Sequence, residues 1–274
     1  MISISGLSSN VALNLLDSTR DRQLELLNNE PVHKRAAEAF AERISSISTP
    51  EEFVADFEVY SFVMRAFDLE DQIFGRGLIR KTLESDPEDP ASLLNRLTDQ
   101  RFREMHLALG FTTAEGPQTP DFTSEAFVEA VTTRYFNRVY INNSGDQNST
   151  VGTVLEFREQ ADSINNWFEI LRDRDLTRFF QTALGIPESV SGLDLDVQRR
   201  IFEEKFDLAD LADPEERERL TTRFIAISDA LNPPAAAASS VASSLLVSFG
   251  TGPQIIPITL DVTNLPIGAS RLYQ

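Results

Sequence analysis

The chain contains no cysteine. Disulfides, thiolate metal sites and cysteine nucleophiles are therefore excluded. Histidine is nearly missing too: His33 and His106 are the only two in 274 residues, and neither stands in a His-x-x-x-His or His-Glu spacing that would hold a metal. Basic residues are outnumbered, 25 Lys and Arg against 43 Asp and Glu, for a net charge of −18. A nucleic-acid partner needs a positive surface, so that class is excluded, and the same field disfavours docking on anionic lipid. No apolar run approaches the roughly 20 residues of a membrane-spanning helix. The opening residues carry neither a basic region nor a long apolar one, so no cleavable secretory signal is expected. Gly-x-Ser-x-Gly elbows and phosphate-cradling glycine loops are also missing.

What the chain has is phenylalanine, 19 residues against four Tyr and one Trp, the signature of aromatic core filling. The segment Phe53–Leu69 places Val59, Phe62, Val63 and Ala66 on one helical face. It returns as Ile170–Ile186, with Leu176, Phe179, Phe180 and Ala183. Asp56 matches Asp173, Phe62 matches Phe179 and Leu69 matches Ile186, each 117 positions on. The same offset joins Phe40 to Phe157 and Ile47 to Ile164. Further along the offset drifts: Asp89-Pro90 is echoed by Asp213-Pro214 at 124 and Arg101-Phe102 by Arg223-Phe224 at 122. Loop insertions between retained helices produce such drift.

The fold expected is mainly α: two duplicated helical subdomains packed together, with a short C-terminal β-hairpin or edge strand. Unit 1 spans residues 10–111, unit 2 residues 123–232, and residues 233–274 form an Ala/Ser-rich linker and a β-forming tail. Residues 1–9 read as flexible. Thr49-Pro50-Glu51-Glu52 predicts a capped helix start, from which one amphipathic helix continues through Leu69. Phe74, Leu78 and Thr82 give a further helical face, Asp89-Pro90 a restart, and Gly110 a stop. Residues 111–122 read as a linker, and 142–150 as a polar loop. In the tail, Ile256, Ile258, Leu260 and Val262 alternate with polar residues, and Pro257 confines that strand to an edge or a bulge. It either docks on the helices or recruits a second subunit.

Candidates for chemistry are few. Asp86, Glu88 and Asp89 could gather a hard cation, but helix capping accounts for Asp86 and Asp89 without one. Asp194 and Asp196 receive the same reading. Asp146–Thr150 fails as a calcium loop, because Val151 stands where the glycine belongs and Phe157 where the closing glutamate belongs. No catalytic, cofactor-binding or metal-ligating residue is expected, no cofactor is implied, and the chain does not read as an enzyme.

The segment from Phe74 to Phe111 carries a family likeness. Leu83-Glu84-Ser85-Asp86, Ser92, Asn95-Arg96-Leu97, Asp99 and Arg101-Phe102, with Ile170-Leu171, Asp173 and Leu184-Gly185-Ile186-Pro187 in the second half, resemble the bacterial domain-of-unknown-function family 1217. The likeness covers residues 10–232. That resemblance implies a duplicated helical protein encoded among flagellar genes of alphaproteobacteria, placed in the cytoplasm or at the flagellum, with flagellar protein partners and no established activity. Two other functions compete: a cytoplasmic adaptor or chaperone for an exported partner, and a metal-dependent hydrolase using Asp86, Glu88 or Asp89.

Overall fold

The chain opens with two long helices, α1 (Ser9–Asn29) and α2 (Pro31–Arg43). A single extended residue, Glu30, separates them, and Pro31 takes the first helical position, where its missing N–H costs nothing. These belong to a computed structural model that describes residues 1–232. Thr49 then opens α3 (Pro50–Ala55) through a capping box: Thr49 Oγ1 accepts from the Glu52 N–H, and Glu52 Oε2 accepts from the Thr49 N–H, both at 3.2 Å. The expected single helix across Phe53–Leu69 breaks here. Asp56 adopts extended backbone and accepts from the Val59 N–H at 3.2 Å, starting α4 (Phe57–Ala66) afresh. Apolar spacing hid the break, because Phe53 and Val59 are both buried on either side of it.

Helix α5 (Arg76–Leu83), the four-residue α6 (Leu93–Arg96) and α7 (Gln100–Leu109) complete the first copy. Asp89 does not restart a helix as expected. Its carboxylate accepts from Ala91 N–H at 2.9 Å inside a turn, and α6 begins only after Ser92. Gly110 does end α7, in the left-handed conformation. A small antiparallel pair, β1 (Thr112–Thr113) with β2 (Gly116–Pro117), occupies the stretch read as linker.

The second copy begins with α8 (Glu125–Gln147) and α9 (Ser149–Gln160), whose bounds fall 116 to 118 positions after those of α1 and α2. Residues 142–150 are thus not a loop. Only Asn148 leaves helical geometry, and it caps α9 by accepting from Val151 N–H at 3.1 Å. The polar run is where two helices cross, and their lack of apolar residues reflects close backbone contact at Gly145 and Gly152. Helix α10 (Trp167–Arg172) repeats α3 at an offset of 117 at both ends, and α11 (Arg174–Leu184) repeats α4. The caps repeat too: Glu169 Oε2 accepts from Asn165 N–H at 2.7 Å, and Asp173 accepts from Leu176 N–H at 2.8 Å. Helix α12 (Leu195–Glu203) answers α5, and α13 (Pro214–Leu231), capped by Asp213, closes the described chain.

Phenylalanine stacks mark the two copies. Phe40 lies on Phe62 at 4.6 Å and 17°, and Phe157 on Phe179 at 4.0 Å and 15°. The outer face of each pair is covered differently. Tyr135 of α8 stacks on Phe62 at 4.1 Å, so the helix that opens the second copy also closes the first. On Phe179 the equivalent place is taken by Phe224 of α13, at 4.8 Å. One continuous apolar core results, from Ile4 to Ile225.

The start of the chain is not loose. Ile4 is fully buried, and its N–H donates to Gln147 Oε1 at 2.8 Å. Ser9 N–H donates to Asp229 Oδ2 at 3.0 Å, so α13 caps α1 from outside. Short sequence suggests flexibility here because a partner of this segment, Gln147 on α8, lies 143 residues away. The expected C-terminal strand, hairpin and linker lie outside the described residues.

Candidate functional site

Helices α4 and α11 end in the same turn. Leu69 N–H donates to Met64 O at 2.7 Å and Ile186 N–H to Gln181 O at 2.8 Å, the six-to-one bond of a Schellman motif. This motif requires a left-handed residue. In the second copy it is Gly185, φ 67°, and in the first it is Asp68, φ 56°, the one non-glycine residue with positive φ among the described residues. Holding a side chain there costs roughly 1 kcal/mol relative to glycine.

Asp68 spends that strain on contacts. Arg101 donates to its carbonyl and lies 3.2 Å from Oδ2. Asn142 of α8 donates to Oδ1 at 3.3 Å, and Arg138 of α8 reaches to 3.7 Å. Arg101 is itself held by Asp99 at 2.8 Å, with Asp71 at 3.8 Å. Arg138, largely buried, pairs with Glu156 of α9. Next to it, Arg134 donates to Ala66 O at 3.1 Å and lies 4.3 Å from the Phe67 ring centroid. The cluster clasps the end of α4 to α7 on one side and to α8 and α9 on the other. Each carboxylate in it meets a guanidinium, and no nucleophile or open coordination position accompanies them. Its chemistry is cohesion.

The acids weighed as metal ligands do other work. Asp86 Oδ1 accepts from Glu88 N–H at 2.8 Å, and Asp89 acts likewise in its own turn. Asn95 ties this loop by donating to the carbonyls of Pro87 and Asp89 at 2.9 and 2.8 Å. Among the described residues, no group of three His, Asp or Glu could hold a metal ion. Burial pushes both histidines below the ordinary imidazole value. His33 Nδ1 bonds the Tyr135 hydroxyl at 2.8 Å, and His106 Nδ1 donates to Thr82 O at 3.0 Å from inside the core.

Two residues that shape these surfaces are missed by the sequence analysis. Asp68 could have been found, since lining up the copies sets it against Gly185. Spacing alone puts Phe74 on a helical face, but α5 begins at Arg76 with Gly75 as its cap, which leaves Phe74 outside the helix and 96% exposed. In the second copy the residue two positions before α12 is Leu193, 46% exposed. Phe57, at the start of α4, adds a second exposed ring, with the Arg76 guanidinium 5.6 Å from its centroid.

Comparison with known proteins places this arrangement. The family described as proteins of unknown function, DUF1217, matches residues 66–216. The chain belongs to that family. This DUF1217 protein is also similar to a crystal structure of protein AGR_C_984 from Agrobacterium tumefaciens, with 27% identity and a TM-score of 0.74. The match covers 85% of this chain and 98% of that one, so the duplicated helical architecture is shared over nearly the whole neighbour. No curated protein matches. The family match spans the Asp68 clasp and Phe74 as well as α8 to α12. No helix among the described residues is long and apolar enough to cross a membrane.

Proposed function

We propose that this protein is a non-enzymatic assembly component associated with the bacterial flagellum, acting through protein–protein contacts in the cytoplasm or at the flagellum itself. The observation that carries the reading is Phe74, a phenyl ring left 96% exposed on a structured turn, with Leu193 repeating its position in the second copy. Large apolar side chains held in water on ordered turns fit contact points for another protein. The flagellar setting comes from the resemblance of residues 74–111 to a family encoded among flagellar genes.

The test is affinity capture from the native cell with wild-type and Phe74→Ser chains, alongside a deletion strain. Flagellar proteins are expected with the wild type and lost with the variant, and the deletion strain is expected to swim poorly. A deletion strain with normal flagella and normal swimming refutes the flagellar reading. Fractionation then separates a component, which travels with basal bodies, from an adaptor, which stays behind with an export substrate.

A further inference from the structure

Two surfaces of opposite character lie on this chain. One is a groove of about 750 Å³ between α1, α2 and the first half of α8, walled by Leu24, Val128 and Phe136. Its rim carries Glu38, Glu125 and Glu129, all exposed, and no basic residue lines it. The volume lies within the range of roughly 300–1,000 Å³ that ligand pockets occupy. The other surface is the turn that raises Phe74, with Phe57 beside it and α5 behind. Helix α5 holds Arg76, Arg80 and Lys81 and no acid, in a chain of net charge −18. Arg80 pairs with Glu84 at 3.7 Å, whereas Arg76 and Lys81 make no ion pair among the described residues. Nor do Glu38, Glu125 and Glu129.

We infer that the Phe74 turn of one copy seats in the α1–α2–α8 groove of a second copy, head to tail. The inference rests on the reading that this protein works through protein contacts, and it names the partner as the chain itself. Charge selects the pairing. Copies with so large a negative charge repel one another overall, so contact is confined to places where free charges complement locally. Arg76 and Lys81, carried by the helix that follows the exposed ring, match three free carboxylates on the rim of an apolar groove. The two surfaces share no residue, so one chain offers both at once. Such a contact is heterologous: each added copy leaves one turn and one groove open, and assembly extends until it closes as a ring or continues as a filament.

The experiment is light scattering on the full-length chain during size exclusion, over a series reaching about 0.1 mM, where contacts of micromolar Kd are populated. The wild-type mass is expected to climb above that of the monomer as concentration rises. Phe74→Ser removes the ring from the turn and Glu129→Lys reverses one charge on the groove rim, so each variant alone is expected to remain monomeric with an unchanged helical circular dichroism spectrum. Mixed together, they are expected to form a dimer and stop there, because the groove of the first still accepts the turn of the second. A wild type monomeric throughout, a Phe74→Ser chain that still assembles, or a mixture that stays monomeric overturns the inference. If native-cell capture through Phe74 still retrieves flagellar proteins in that case, the proposed function stands while self-docking falls.

Discussion

Gly145 and Gly152 face each other where α8 crosses α9, and the two positions predict substitutions of opposite sign. A Cβ built on Gly152 falls 2.6 Å from Gly145 Cα and 3.4 Å from its nitrogen. Both obstacles are backbone, so neither can rotate away, and Gly152→Ala must part the helices. Overpacking of this kind costs about 1–3 kcal/mol. Alanine in a helix recovers up to about 1 kcal/mol over glycine, less near an end, where both residues sit. The net expectation for Gly152→Ala is a loss of about 1–2 kcal/mol. A Cβ on Gly145, by contrast, meets only Gly152 Cα, at 3.5 Å. That is ordinary contact, so Gly145→Ala is expected to stabilise by about 0.5 kcal/mol. For a chain of this size each kcal/mol moves Tm by roughly 2–4 °C, which thermal melts followed by helical circular dichroism resolve easily. A Gly152→Ala variant as stable as the wild type refutes the reasoning, and so does a Gly145→Ala variant that is equally damaged.

The Asp68 clasp predicts an order among substitutions: Asp68→Ala loses the carboxylate and keeps the left-handed strain, so it should cost about 1–2 kcal/mol in urea denaturation. Asp68→Gly loses the same contacts but relieves the strain, and should be the more stable of the two by about 1 kcal/mol; if glycine proves no better than alanine, the strain account fails. The matched caps Asp56 and Asp173 predict opposite pH behaviour. For Asp56 burial works against ionisation, yet the Arg43 guanidinium and the Val59 N–H outweigh it and hold the carboxyl below the usual carboxylate value. Its contribution is therefore complete above the unfolded value and is lost as pH falls through the lower folded one. For Asp173 burial dominates, Glu156 adds repulsion, and the carboxyl rises, so its contribution is complete at low pH and weakens as pH climbs through the raised value. Asparagine retains the capping oxygen at either site. At neutral pH, Asp56→Asn should destabilise while Asp173→Asn should not, and equal effects in pH-resolved denaturation would contradict this.

Much of the fold was legible because its signals are local. The Thr49–Glu52 capping box and Gly110 as a stop both act within a few residues, and each reads directly from residue type. The duplication was legible because packing partners repeat together: Phe40 with Phe62, Phe157 with Phe179. What stayed hidden depends on distant chain. Ile4 looked loose because its pocket lies partly on α8. The break at Asp56 was masked by an apolar face that runs across it unchanged. The 142–150 stretch looks like a loop in sequence because helices that touch through glycine backbone need no apolar side chains at the crossing. Phe74 looked like part of an apolar face because spacing cannot tell the last residue before a cap from the first residue after it.

The double duty of α8 accounts for where the clasp sits. In the first copy, Phe62 is covered by Tyr135 from a helix that belongs to the second copy, so the end of α4 faces a foreign helix bearing Arg134, Arg138 and Asn142. An acid in the left-handed position of that turn meets cations on one side from α8 and on the other from Arg101. In the second copy, α13 supplies the cover from that copy's own sequence. There the Arg223 side chain lies 3.8 Å from where a Cβ on Gly185 would stand, and the turn keeps the residue that its backbone prefers. The strained residue thus stands where one copy hands over to the next. Strain at that junction is offset by contacts that fix the register of α8 on α4, and those contacts couple the two halves into one body that can present the Phe74 turn and the α1–α2–α8 groove in fixed relation.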